Sequence, residues 1–129
     1  MTVDDLAAPS RLKGVRVLLV EDDGDFVPDL LELVRAFGCK VAGWAPRLPE
    51  AFALSASREF DLALLDISIG GHSVRPFAAH VRHQRKPMLF VTGSRELVAS
   101  GEAVVYKPFS PDELQRGMTA VLQHAGSEA

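Results

Sequence analysis

Residues 17–23 read Val-Leu-Leu-Val-Glu-Asp-Asp: four apolar residues in a row, then three carboxylates. An apolar run with no polar alternation is the mark of a strand buried on both faces. The same break occurs twice more. Leu62-Ala63-Leu64-Leu65 runs into Asp66, and Val104-Val105-Tyr106 runs into Lys107-Pro108. Strands that stop abruptly at ionisable residues suit a site better than a core. In a parallel sheet such residues meet at the carboxyl edge, where open α/β folds bind their ligands.

Working outward, helical patterns separate the strands. After Asp23 come Phe26, Leu30, Leu33, Val34 and Phe37 at helical spacing, with Pro28 in the first turn and Gly38 to close it. Lys40 to Ala45 reads as a second strand and Pro49 to Ser57 as a second helix. Asp61 to Asp66 is the third strand, and a Gly70-Gly71 loop leads to a helix carrying Val74, Phe77, Ala78 and Val81. Its basic end, with His80 and His83, suits the negative terminus of a helix better than a metal. Met88 to Thr92 and Ala103 to Tyr106 are the last two strands. Ser110, Pro111 and Glu113 give the final helix a capping box, with Leu114, Met118, Val121 and Leu122 as its buried stripe. Cys39 and Trp44 read as packing residues around the second strand. Alternation of this kind predicts right-handed βαβ units and a parallel sheet covered on both faces. The stretch 93–102 is too short for more than one or two helical turns, so the fourth crossover helix is expected to be shortened or missing.

A chain of 129 residues is expected to form one domain, here residues 14–125, with a loose tail at 1–13 and a short one at 126–129. The 47% hydrophobic and 24% charged content is that of an ordinary globular protein. A net charge of −3 argues against a nucleic-acid partner. A single cysteine excludes an internal disulfide and a cysteine-based zinc site. No apolar stretch is long enough to span a bilayer, and the acidic N-terminus lacks a signal-like apolar region, so a cytoplasmic location is expected.

Carboxylates gathered at one edge repel each other, by about 4 kcal/mol for two charges 4 Å apart at an effective dielectric near 20. A hard divalent cation relieves this best, and Mg²⁺ readily bridges carboxylates to phosphate oxygens. With Mg²⁺ held by Glu21 and Asp22, Asp66, alone at the end of a central strand, can attack a phosphoryl group. Lys107 can pair with the phosphoryl oxygens, and the Thr92 hydroxyl can donate to one of them.

Val17-Leu-Leu-Val-Glu21-Asp22-Asp23, Leu64-Leu-Asp66-Ile-Ser68, Val91-Thr92-Gly93 and Lys107-Pro108-Phe109 resemble, in order and at strand ends, the motifs of response-regulator receiver domains. The resemblance covers residues 14 to 125. It implies a flavodoxin-like (βα)5 three-layer sandwich with strand order 2-1-3-4-5. It also implies phosphorylation of Asp66 by a histidine kinase or phosphotransfer protein, Mg²⁺ held by Glu21, Asp22, Asp66 and the Ser68 backbone carbonyl, and a cis Lys107–Pro108 bond. Such a domain is a phosphoacceptor that signals to a downstream protein, or acts as a phosphate shuttle or sink, rather than an enzyme. With only Gly126 to Ala129 after the last helix, a stand-alone, single-domain protein is expected.

Several departures qualify that likeness. Receivers usually carry a proline near the position of Gly70, and often a Tyr or Phe three residues before the lysine, where this chain has Val104. Tyr106 is expected on the other face of its strand. Pro87-Met-Leu-Phe90-Val-Thr92-Gly93 resembles the Pro-Phe-x-Phe-Ala-Thr-Gly strand of a single-domain alphaproteobacterial subgroup often partnered with kinases of the HWE type. Two alternatives stay open. One is a pseudo-receiver that binds partners without phosphorylation. The other is an aspartyl-nucleophile phosphatase, which would need a second acid where Ser68 stands.

Overall fold

The computed structural model describes residues 11–94 and 101–128. Within them the chain alternates strand and helix: β1 (Arg16–Val20), α1 (Val27–Ala36), β2 (Lys40–Ala45), α2 (Leu48–Ser57), β3 (Leu62–Leu65), a small pair β4 (Ser68–Ile69) and β5 (His72–Ser73), α3 (Arg75–His83), β6 (Met88–Thr92), β7 (Val104–Tyr106) and α4 (Pro111–Glu128). The main sheet is parallel, with order β2-β1-β3-β6-β7. Once the β4–β5 pair is set aside, this is the expected 2-1-3-4-5 arrangement. The expected shortening of the fourth crossover falls mainly on residues 95–100, outside the described residues.

Successive side chains of a strand point to opposite faces, and both faces here are covered. Val17 and Leu19 of β1, Leu62 and Leu64 of β3, and Leu89 and Val91 of β6 pack with Val27, Leu30 and Val34 of α1 and Leu114 and Met118 of α4. Leu18, Val20, Ala63, Leu65 and Phe90 point the other way, onto Ala51 of α2 and Phe77, Ala78 and Val81 of α3. This two-sided burial is why the strands are apolar without alternation.

Close packing on the first face depends on one missing side chain. A Cβ built at Gly117 of α4 would lie 2.7 Å from Val105 Cγ2, so only glycine lets this helix sit against β7. The capping box at its start is formed: the Glu113 N–H donates to Ser110 Oγ at 3.1 Å, and the Ser110 N–H donates to Glu113 Oε1 at 3.0 Å. That second bond holds the Glu113 carboxyl below the usual range.

Four expectations need correction. Leu12, assigned to a loose tail, is fully buried in the α1/α4 cluster. Residues 126–128, assigned to a C-terminal tail, continue α4 to Glu128. Cys39 is buried as expected, but Trp44 is 39% exposed and so is no core residue. Tyr106 lies on the same face as Val104, because residues two apart on a strand point the same way and β7 is regular, with Phe90↔Val104 and Thr92↔Tyr106 in register.

Candidate functional site

Each strand delivers its last residue to the same edge through the continuing ladder. The Glu21 N–H donates to the Ala45 carbonyl at 3.1 Å, the Asp66 N–H to the Val20 carbonyl at 3.0 Å, and the Lys107 N–H to the Thr92 carbonyl at 2.9 Å. The side chains at the ends of β1, β3 and β7 therefore converge. Glu21, Asp22 and Asp66 each offer a carboxylate oxygen, all within 4.8 Å of one another. The Lys107 ammonium lies between two of them, 2.5 Å from Glu21 Oε1 and 3.1 Å from Asp66 Oδ2. Its Nζ also sits 4.3 Å from the centroid of Phe26, whose ring meets Phe109 edge-on. The expected cis bond between Lys107 and Pro108 is present.

The three carboxylates occupy different environments. Glu21 is 1% exposed. Burial pushes its carboxyl above the usual range, against the pull of Lys107 and of the Asp23 N–H that donates to Oε2 at 3.1 Å. Burial alone would lower the Lys107 pKa. The hydrogen bond to Glu21 and the charges of Asp66 and Glu21 outweigh it, so the ammonium keeps its proton more firmly than a free lysine. Asp66 is half-buried, with Oδ1 accepting the Ile67 N–H at 2.7 Å. Asp22 reaches no lysine; its Oδ2 accepts the Gly70 N–H at 2.7 Å. Among the described residues, three carboxylates thus gather around one ammonium.

The loop after Asp66 is better ordered than a Gly-Gly sequence suggests. Ser68–Ile69 and His72–Ser73 form a two-rung antiparallel hairpin. Its turn needs positive φ at both central residues, and Gly70 and Gly71 supply it at 59° and 82°. The Arg47 side chain lies against the turn, where a Cβ on Gly70 would come within 3.0 Å of its Cδ. The Val74 N–H donates to the Ile67 carbonyl at 2.8 Å. Antiparallel alternation then makes Ser68↔Ser73 the non-hydrogen-bonded pair and turns the Ser68 carbonyl away from its partner strand.

The structure thus brings Glu21, Asp22, Asp66 and Lys107 into one cluster. Thr92 stands at the end of β6, 1% exposed, with Oγ1 accepting the Ser94 N–H at 3.1 Å. Sequence reasoning missed Phe26 as a partner of the lysine, taking it for helix stripe. Its ring sits at the N-cap of α1 instead. Gly70-Gly71 carried a legible hairpin signal, but arms of two residues are too short to read as strands. Trp44 was missed because its role is a hydrogen bond across 23 residues: its indole N–H donates to the Glu21 carbonyl at 2.8 Å.

A parallel five-stranded sheet covered on both faces, with an acid cluster and one lysine at its carboxyl edge, defines a flavodoxin-like α/β domain. Comparison with known proteins narrows the class. No family model matches the chain. It is 36% identical over 118 residues to the uncharacterised transcriptional regulatory protein YrkP of Bacillus subtilis, an alignment covering 84% of this chain and 49% of that protein. Among solved structures, the receiver domain of the PhyR response regulator of Erythrobacter litoralis aligns with a TM-score of 0.79 at 27% identity, covering 87% of this chain and 92% of that one. PhyR of Brucella abortus aligns at 0.82 with 24% identity, over 96% of this chain and 55% of that one. The chain is a receiver domain of the response-regulator family. It spans about half the length of the curated relatives it matches.

Proposed function

We propose that this receiver accepts a phosphoryl group on Asp66 from the phosphohistidine of a histidine kinase or phosphotransfer protein, and passes its state to a downstream protein by contact. One observation carries the reading: a single ammonium, Lys107, is shared between Glu21 and Asp66 while Asp22 stands beside them, so that among the described residues the carboxylates at the edge of the sheet outnumber the cation. These residues fit a divalent cation. Glu21, Asp22, Asp66 and the outward-turned Ser68 carbonyl would hold Mg²⁺, all of them hard oxygen donors. When bound, Mg²⁺ neutralises the carboxylates and withdraws charge from phosphoryl oxygens.

The chain's own groups supply the rest. The Ile67 N–H fixes the rotation of the Asp66 carboxylate. As an Asp66 oxygen forms its bond to phosphorus, the nitrogen–phosphorus bond of the donor breaks and the imidazole keeps the electron pair. Lys107, held in its charged form, moves from the carboxylate oxygen to a phosphoryl oxygen. The Thr92 hydroxyl accepts from Ser94 and so keeps its own proton to donate to a second one. The product carries about −1.5 to −2 charges where Asp66 carried one. The likeness of Pro87–Gly93 to the Phe-Ala-Thr-Gly subgroup favours a kinase of the type that serves those receivers.

The test is incubation with Mg²⁺ and either acetyl phosphate or a phosphorylated kinase. An acid-stable, base-labile adduct in the wild type that is absent from Asp66→Asn supports the reading. No adduct with either class of donor overturns it in favour of a constitutive binding module.

A further inference from the structure

The end of β2 leaves a gap in the sheet that an indole fills. In a parallel pair, a residue whose N–H bonds one partner accepts at its carbonyl from the residue two further along that partner strand. Glu21 donates to the Ala45 carbonyl, so its own carbonyl should receive the N–H of Arg47. At Pro46 the chain turns away, and Arg47 becomes the N-cap of α2, whose first helical bond its carbonyl accepts. The missing rung comes from a side chain instead. Trp44, next to last in the same strand, lays its Nε1–H on the Glu21 carbonyl at 2.8 Å. An indole left 39% exposed on an edge strand is poorly explained by packing, and well explained by that bond.

The carbonyl so held belongs to the peptide joining Glu21 to Asp22, two of the three clustered carboxylates. On the other side, the Asp22 carboxylate is held by the Gly70 N–H. The acidic pair is therefore clamped at its backbone by β2 and at its side chain by the hairpin. We infer that Trp44 is a positioning residue for the cation site: its indole N–H fixes the Glu21–Asp22 peptide so that both carboxylates meet the ion without rearrangement. This rests on the proposed reading of that site. Preorganisation of this kind appears as affinity, because the ordering cost is met on folding rather than on binding.

The substitution Trp44→Phe keeps a ring and removes the donor. Mg²⁺ would be titrated into both proteins and followed by the amide shifts of residues 21–23 and 66–70, with thermal unfolding measured separately in EDTA. The expected result is Mg²⁺ affinity weaker by about 2- to 10-fold, the size of one hydrogen bond, with the unfolding midpoint in EDTA lowered by no more than a few degrees. Val34→Ala, a truncation in the core at the far end of α1, serves as a control that loosens the fold away from the carboxyl edge. Equal affinity in wild type and Trp44→Phe overturns the positioning role and leaves the phosphoacceptor reading standing. So does a loss of affinity that Val34→Ala reproduces. Absence of Mg²⁺ binding to the wild type overturns both. In the wild type Trp44 is the only tryptophan, so its fluorescence should change over the same Mg²⁺ range, and an unchanged signal while the amides shift also counts against the inference.

Discussion

The two edges of the sheet carry charge in opposite ways. At the amino edge, Arg16 opens β1 and Asp61 precedes β3. The Asp61 carboxylate takes the Arg16 backbone N–H at 2.8 Å, its Nε at 3.0 Å and a terminal nitrogen at 2.9 Å. One anion meets one cation, and the hydrogen bond from Arg16 holds the Asp61 carboxyl below its usual range. At the carboxyl edge, three carboxylates gather near one lysine, which pairs with Glu21 and Asp66 but not with Asp22, and Glu21 is driven up by burial. The first edge is complete as it stands. The second, among the described residues, has more carboxylates than cations, as stability at a site is commonly given up for function.

Changes that unbalance the carboxyl edge further should have the largest effect. Lys107→Met leaves Glu21 buried without its cation, which should destabilise the fold by about 3 kcal/mol at neutral pH, the low end for a broken buried pair because the ammonium is partly exposed. The pH dependence follows from the two shifts. Glu21 is raised, so the cost of its ionised form falls away as pH drops through the carboxylate range and it takes up a proton. Lys107 is raised, so its contribution is present below 10.5 and lost as pH climbs through its folded value. Denaturant unfolding should show the deficit at full size between those limits and shrinking outside them; a deficit that does not depend on pH would contradict this account.

Completing the charge should have the opposite sign. Mg²⁺ at ten times its dissociation constant should stabilise the wild type by about 1.4 kcal/mol, measured as a rise in the unfolding midpoint that NaCl of equal ionic strength does not give. Asp22→Asn comes next. It removes one repelling charge without breaking an ion pair, and its amide oxygen can still accept from Gly70. In EDTA it should be more stable than wild type by about 1 kcal/mol, and Mg²⁺ should stabilise it less than it does the wild type.

The smallest effect belongs to the balanced edge. Asp61→Asn should lower the midpoint slightly at neutral pH. Because the folded value of Asp61 is depressed, its contribution is present above the unfolded pKa and lost as pH falls. Wild type and variant should therefore converge in acid. An Asp61 effect as large as that of Lys107 would erase the contrast between the edges.

Much of this was legible in the chain because it depends on neighbours in sequence. Unbroken apolar runs announce strands buried on both sides, and the capping box of Ser110 and Glu113 formed as its spacing requires. The convergence of Glu21, Asp22, Asp66 and Lys107 was also legible, since each ends a strand of one parallel sheet. What escaped were contacts across long separations: Leu12 folding back into the core, Phe26 under the lysine, and Trp44 reaching the Glu21 carbonyl. The misplaced face of Tyr106 was a different kind of error, since period-two alternation was available in the sequence.

The alternation of strand and helix, the two-sided burial of the sheet and the residues that end its strands are written in the order of residues along the chain. These follow from hydrophobic periodicity and backbone stereochemistry, which act over a few residues. How the charges are shared emerges once the strands are packed together. Which carboxylate Lys107 pairs with, which one a backbone amide holds, and which donor completes the ladder at Glu21 depend on distances between residues tens of positions apart. Hydrogen bonds and ion pairs fall off within an ångström or two of their optimum, and no pattern in the chain fixes a distance that finely.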